Sequence, residues 1–305
     1  MEPPLIGNPQ RLEPFQNFLG VIAKARESIL ITGPTGSGKM RAIQFLVEQG
    51  SLHQSPVFFI PGLCFSEDLW SQGYRVLKDR GVLVIEDIQY LPGPLQAKFK
   101  DWLTGKGPLF SEPGGMIPEW RVIVTSSRAD AIWEGLKYAF PFHIQLPSLN
   151  EVIEDIPYHL KYFLREKSVR YVRYFFLLKT FFHHWEGNLQ ELEHYLIQAM
   201  AYYNSLTHGG GDAVFGEKRL RYYEDVLRGE WWYYPYRFTQ GFSKGLKDIL
   251  IKTDFRSKII EEQLVVSLLR DEPGFLVLDL MAPDFEEKAI RIYHLFLNYL
   301  QMQSE

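Results

Sequence analysis

The sequence is poor in several things at once, and each shortage excludes a class. Cys64 is its only cysteine, so an intrachain disulfide and a thiolate zinc cluster are both excluded, which suits a reducing cytoplasm. No apolar run approaches the ~20 residues needed to span a bilayer. The opening Met-Glu-Pro-Pro-Leu has neither the basic nor the apolar segment of a secretory leader. Positive charge is not in excess: the formal net charge of -4 argues against a protein that works mainly by wrapping nucleic acid. The expected setting is therefore cytoplasmic, with no membrane partner. What is present fits a globular chain. Its 305 residues suggest roughly two domains, and 46% hydrophobic with 23% charged residues is ordinary for such domains. Aromatic residues, at 15%, are plentiful.

One stretch organises the rest: Ile29-Leu-Ile-Thr-Gly-Pro-Thr-Gly-Ser-Gly-Lys-Met40. Apolar residues end a strand, and Gly33, Gly36 and Gly38 then let the backbone curl with its N–H groups inward. Lys39 follows where an ammonium reaches a nucleotide's terminal phosphates. The spacing is that of a phosphate-binding P-loop, G-x-x-x-x-G-K, whose last position is normally Ser or Thr. Amides at a helix N-terminus, the helix dipole and one ammonium together hold a polyanion. Gly33, Pro34, Thr35, Gly36, Ser37, Gly38, Lys39 and Met40 are thus the candidate phosphate-binding residues. Met40 lacks the hydroxyl that would ligate Mg²⁺, so ATP or ADP is the expected cofactor and any role for Mg²⁺ is weak.

Along the chain, an amphipathic helix through about Ala25 precedes a strand at 28–32 and a helix over 39–49. Apolar runs at 56–60, 81–87, 121–126 and 142–146 read as buried strands, with helices at 67–78 and 95–103 between them. Strands without polar alternation, separated by helices, imply a mainly parallel sheet covered on both faces. Its ligand belongs at the carboxyl ends of those strands. After Pro147 only helical spacing remains, over 150–166, 169–183 and 188–204. Gly209-Gly-Gly-Asp212 is the clearest linker. The expected organisation is an α/β P-loop domain over 1–148, a helical lid over 149–206, a Gly-rich linker over 207–216 and an all-α C-terminal domain over 217–305. In the last, helices are expected at 217–228, 242–252, 255–270 and 285–301, and Asp284 with Glu287 makes a capping box.

The strand ending Val84-Ile-Glu-Asp87 places two acids at its carboxyl end. In phosphoryl-transfer sites such a pair divides the work: one carboxylate holds Mg²⁺ and the next polarises the attacking water. The usual order is Asp then Glu, and here it is reversed. Glu86 is the candidate metal-side residue and Asp87 the candidate base, each one methylene away from the usual length.

With these residues in view, the chain resembles sigma-54-dependent enhancer-binding transcription activators, which are AAA+ ATPases. The resemblance is carried by Ile85-Glu-Asp-Ile-Gln-Tyr-Leu-Pro-Gly-Pro-Leu-Gln-Ala-Lys98, Phe142-His-Ile-Gln-Leu-Pro-Ser-Leu149, Glu154-Asp-Ile-Pro157 and Trp185-Glu-Gly-Asn-Leu-Gln-Glu-Leu-Glu193. It covers about residues 5–204. It implies a P-loop NTPase of AAA+ type with a helical lid, an adenine-contacting segment at Ile6 and Gly7, a γ-phosphate sensor position at Ser127 and a second sensor position at Gln190. The departures fall on the functional residues. The family's P-loop ends Lys-Glu where this chain has Lys39-Met40. The 46 residues between Lys39 and Glu86 are too few for the family's sigma-54-contacting loop. Ser127 replaces the sensor Asn, and Gln190 the second-sensor Arg. The two arginine-finger positions carry Ile132 and Tyr138, with Arg128 the nearest candidate substitute.

The functional expectation is a nucleotide-binding pseudo-ATPase of this type, with a regulatory, transcription-related or scaffold role and an unknown protein partner. Two alternatives compete: a slow ATPase working with other AAA+ subunits, and an interaction module that binds no nucleotide. Smaller signals add little. His183-His184 near Glu186 could suggest a metal, but adjacent helical histidines point about 100° apart, so packing under Trp185 is the preferred reading. The aromatic run Trp231–Tyr236 reads as core rather than a base-stacking surface. DNA binding through 255–301, with 274–281 and 285–301 as a helix-turn-helix pair, is disfavoured because the second helix offers only Lys288 and Arg291 as strong cations.

Overall fold

The computed structural model describes residues 5–51, 53–78, 80–110, 119–165, 167, 169–207 and 277–302. The chain divides into two compact units. The first holds residues 1–5 and 9–148, the second residues 6–8 and 149–305.

The first unit is built on a five-stranded sheet in the order β2-β3-β4-β1-β5. The strands are β1 (Ile29–Thr32), β2 (Val57–Pro61), β3 (Arg80–Glu86), β4 (Glu119–Ser126) and β5 (Phe142–Gln145). Every neighbouring pair is parallel. This is the architecture that the unalternating apolar runs imply, with both faces covered at the central strands, whereas the edge strands β2 and β5, expected to be buried, are largely half-buried or exposed. On one face Ile29 and Ile31 of β1, Val82 and Val84 of β3 and Ile123 of β4 pack with Leu19, Ile22 and Ala23 of α1 (Pro9–Ala23) and Ala42, Ile43 and Leu46 of α2 (Lys39–Glu48). Successive residues point the other way. Leu30, Leu83, Ile85, Val122 and Val124 meet Trp70 and Leu77 of α3 (Glu67–Leu77) and Phe99 and Trp102 of α4 (Gly93–Leu103). The second layer is rich in rings. Trp70 and Trp102 meet edge to face at 4.7 Å, a preferred aromatic geometry, and Trp120 lies 4.5 Å from Tyr74.

Arg121 points from β4 into the opposite layer, toward α1, where a buried charge is costly unless paired. Its guanidinium caps the end of α1 by donating to the carbonyls of Ile22 and Ala23, groups that a helix C-terminus leaves unsatisfied. Burial lowers its pKa, and the negative charge of Glu27 acts the other way.

The second unit has its own core, formed by α6 (Ile156–Arg165), α7 (Tyr174–Phe181), α8 (Asn188–Thr207) and α9 (Phe285–Met302), while α5 (Glu134–Lys137) belongs to the first unit. Here the structure departs from the helix-only expectation. Residues 171–173, expected inside a helix over 169–183, form strand β6 (Tyr171–Arg173), which pairs antiparallel with β7 (Val277–Asp279). The pairing joins segments more than a hundred residues apart, so no local periodicity could reveal it. It also makes 277–279 a strand within 274–281, where the helix-turn-helix reading needed a helix. Residues 277–302, assigned by sequence to a C-terminal domain, contribute Leu278, Leu280, Phe285, Ala289, Ile292 and Phe296 to the same core as α6, α7 and α8. Lys161–Glu286 at 2.9 Å and Arg170–Asp279 at 3.3 Å join the two stretches at the surface. The Gly-rich linker, the helices expected at 217–228, 242–252 and 255–270, and Trp231–Tyr236 lie outside the described residues.

Candidate nucleotide site

β1 runs out at Thr32, and the chain turns through Gly33 to Gly38 before α2 starts at Lys39. Three glycines take the left-handed φ values that side chains disfavour: 153° at Gly33, 78° at Gly36 and 95° at Gly38. Gly33 is also sterically required. A Cβ there would lie 2.8 Å from the Leu146 carbonyl oxygen and 2.8 Å from Ser37 Oγ. Its amide donates to the Ser126 carbonyl at 3.2 Å, which ties the loop to the end of β4. Ser37 is buried, and its hydroxyl has no hydrogen-bond partner among the described residues.

Lys39 folds back over this loop and donates to the carbonyls of Gly33 at 2.7 Å and Pro34 at 2.9 Å. Burial lowers the pKa of its ammonium from the usual 10.5, and the charge of Asp87 opposes that shift. Thr35 is exposed, Pro34 and Gly36 are half-buried, and Met40 projects from the first turn of α2, 47% exposed. Its thioether is a soft, weak ligand and a poor one for Mg²⁺, which takes oxygen donors in octahedral geometry.

The acid pair behaves unequally. Glu86 is half-buried and stands opposite Pro61 in the β2–β3 ladder, while its carboxylate makes no hydrogen bond with the described residues. Asp87 is held on several sides. Its backbone is left-handed, with φ of 52°, a conformation that Asp tolerates better than most residues. Its amide donates to Thr125 Oγ1 at 3.0 Å, while its Oδ1 accepts from the Ser127 amide at 3.0 Å and from Gln89 Nε2 at 3.0 Å. Gln89 Nε2 also donates to Ser127 Oγ at 2.7 Å. Asp87 and the sensor position Ser127 are therefore one hydrogen-bonded cluster closed by Gln89, a residue that sequence reasoning passed over. Nothing in a single sequence marks Gln89, because its partner Ser127 lies 38 positions away. Thr125 and Gln96 were missed for the same reason. Gln96 holds the Trp133 amide at 2.8 Å and donates to the Leu91 carbonyl at 2.9 Å.

Beyond Ser127 the finger positions separate. Ile132 is 3% exposed in the core under α4, whereas Tyr138 ends α5 with 85% of its surface in solvent. Arg128 is exposed beside Ser127. Helix α3 runs from Glu67 to Leu77 without interruption, capped by Ser66 Oγ accepting from the Leu69 amide.

Three candidate residues fall in the second unit and are placed there. Gly7 is buried against Asp155, where a Cβ would lie 2.8 Å from Oδ2, and the neighbouring Asn8 amide donates to Asp155 Oδ1 at 2.7 Å. Ile6 is half-buried beside them. Gln190 is exposed in the first turn of α8. The Trp-Glu-Gly-Asn motif before it has a structural use. Asn150 exchanges two hydrogen bonds with the backbone of Trp185, at 2.8 Å each, and Asn188 Oδ1 accepts from the Leu149 amide. His183 is buried, packed on Trp185 and bonded to Glu191 at 3.1 Å, as the packing reading expects. Among the described residues no group of three His, Cys, Asp or Glu side chains could hold a metal ion. None of their helices is long and apolar enough to cross a membrane.

The fold has counterparts among solved structures. NtrX from Brucella abortus in complex with ADP superposes with a TM-score of 0.60 at 16% identity, covering 99% of this chain and 64% of that one. The ATP complex of the same protein gives 0.59 at 15% identity, over 99% and 69%. The Holliday junction branch migration motor RuvB of Thermotoga maritima gives 0.55 at 12% identity, over 88% and 84%. The fold is that of an AAA+ P-loop NTPase. In sequence, an NtrX-like response regulator of Rickettsia typhi is 23% identical over 228 residues, 63% of this chain and 46% of its own length. A protein from the HyuA 5' region of a Pseudomonas species is 27% identical over 208 residues, 56% of this chain and 70% of that one. The chain spans about half the length of the NtrX-like relative. No protein-family model matches it. The AAA+ module thus agrees with the resemblance to sigma-54 activators read from Ile85–Lys98 and the segments after it.

Proposed function

We propose that this chain binds ATP or ADP through Gly33–Lys39 and does not turn it over at a useful rate, acting in the cytoplasm as a regulatory, transcription-related AAA+ protein with a protein partner. The observation that carries the reading is the contrast between the cradle and Asp87. The loop keeps its left-handed glycines and its lysine, while the acid in the water-polarising position has its Oδ1 committed to Ser127 and Gln89. The NtrX structures with ADP and ATP support nucleotide as the ligand class. The residues fit a nucleotide's phosphates better than they fit Mg²⁺, for which Glu86 is the one uncommitted carboxylate of the pair and Met40 offers no oxygen. An arginine finger is worth about 10³–10⁵ in rate, so a buried Ile132 and an exposed Tyr138 at those positions weigh heavily against turnover. In regulation, bound nucleotide would act by favouring one conformation over another, which requires different affinities for the two.

The free Glu86 carboxylate and the exposed Arg128 favour a second reading, slow hydrolysis in company with other AAA+ subunits. Titration with a fluorescent ATP analogue, with and without Mg²⁺, tests the first. Saturable binding in either condition is expected, and no binding at millimolar nucleotide would overturn it. ATP turnover above that of Lys39→Ala would favour the second reading instead.

A further inference from the structure

The hydrogen bonds that immobilise Asp87 also fix where its charge sits. Gly33, the first residue of the cradle, donates to the Ser126 carbonyl at 3.2 Å, and Ser127, the next residue, donates to Asp87 Oδ1 at 3.0 Å. The loop and the acid are thus tied to consecutive residues at the end of β4, which lies between β1 and β3 in the sheet. Thr125 and Gln89 supply the remaining ties, at 3.0 Å each. A carboxylate on a free side chain could swing into solvent when a polyanion arrives. This one would have to break bonds to two groups, one of them a backbone amide, to do so.

Asp87 itself follows β3, and the end of that strand is where a hydrolysing site keeps its acid, next to the terminal phosphate of a triphosphate. Such a site tolerates the acid because a metal ion screens the two negative groups. Here the hydroxyl that would help hold that ion is replaced by the Met40 side chain, which is 47% exposed. The diphosphate part of a nucleotide still meets amides and the Lys39 ammonium. A third phosphate adds charge beside an anion that cannot retreat.

We propose that the site is selective for nucleoside diphosphates and that Asp87, clamped by Ser127 and Gln89, is the specificity-determining residue. This rests on the reading of Gly33–Lys39 as a nucleotide cradle. Asp87 discriminates by repulsion and takes no part in bond breaking. Gln89 is a positioning residue that acts through it.

The test is calorimetric titration of the full chain in EDTA with ADP and with a non-hydrolysable ATP analogue, for the wild type, Asp87→Asn and Gln89→Ala. Like charges in a partly buried site repel, so the wild type is expected to bind ADP about tenfold more tightly than the analogue. Asp87→Asn keeps an oxygen to accept from Ser127 and Gln89 but removes the charge. It should raise affinity for the analogue about tenfold and leave ADP within about twofold. Gln89→Ala, which frees the carboxylate to turn, should give an intermediate ratio. Equal affinity of the wild type for the two nucleotides, or an Asp87→Asn effect equal on both, would overturn the proposal and leave the cradle reading standing. Binding of neither nucleotide by the wild type would overturn both.

Discussion

The phosphate cradle and the rim formed by the ends of β3 and β4 lie in the same unit and are joined by hydrogen bonds, yet they keep different amounts of a hydrolytic site. In the cradle the backbone takes a conformation that glycine alone adopts freely: Gly33, Gly36 and Gly38 all sit at positive φ, and Lys39 closes over Gly33 and Pro34. On the rim, the positions to which the sequence assigns a metal, water or γ-phosphate role carry residues that pack or bond within the protein. Ile132 is core, Tyr138 is solvent-facing, and Asp87 and Ser127 bond to one another. The cradle needs only shape and one charge. Turnover would need matched chemistry at several positions of the rim. On the proposed reading, binding and turnover are separable requirements even within one sheet edge.

Substitutions can test how far that separation goes. The largest effect is expected on the rim, from Ile132→Arg. It would place an unpaired charge in the core and destabilise the fold by about 3–5 kcal/mol, read as a loss in denaturant midpoint. Tyr138→Arg, at an exposed position, should change stability by less than about 0.5 kcal/mol. If the two variants were equally stable, the assignment of Ile132 to the core would be wrong. In the cradle, Gly33→Ala would drive a Cβ against the Leu146 carbonyl at a φ unsuited to it. A cost of about 2–4 kcal/mol is expected, with nucleotide binding lost alongside.

Smaller changes sharpen the contrast. Met40→Thr restores a hydroxyl on the metal side, and Mg²⁺ should then strengthen ATP binding by about tenfold, the scale of one charge-assisted contact. An unchanged metal requirement would show that Met40 is not what weakens the metal side. The smallest effect is on pH dependence. Burial holds the Lys39 pKa below the usual 10.5, and a bound polyanion favours the charged form, so the complex carries more protons than the free site. Affinity should therefore fall as pH rises through that lowered value, earlier than for an exposed lysine, by a few-fold at first. Dissociation constants measured from neutral to alkaline pH check this, and Lys39→Arg should flatten the curve.

Much of this was legible before any coordinates. Ile29–Ile31, Val82–Ile85 and Val122–Val124 are apolar at every position, which only a sheet covered on both faces can satisfy, and the glycine spacing marks the cradle. The pairing of Tyr171–Arg173 with Val277–Asp279 was not legible, because its strands are three residues each and their partner is remote. The clamp on Asp87 was hidden for a related reason. From the sequence, Val84-Ile-Glu-Asp87 is two acids at a strand end, and the left-handed backbone that turns Asp87 toward Ser127 is set by its neighbours in space. The packing of His183 on Trp185 was expected, but from a helical premise that does not hold: α7 ends at Phe181, and His183 and His184 lie beyond it.

The account stands on one distinction, that the cradle holds nucleotide while the rim does not consume it. The direct test measures both in one sample: equilibrium binding of labelled ATP to the full chain, and release of its γ-phosphate over many dissociation times, beside Lys39→Ala. Saturable binding that Lys39→Ala weakens by about 10- to 100-fold is predicted, with phosphate release equal in the two proteins. Phosphate released by the wild type well above that of Lys39→Ala would contradict it.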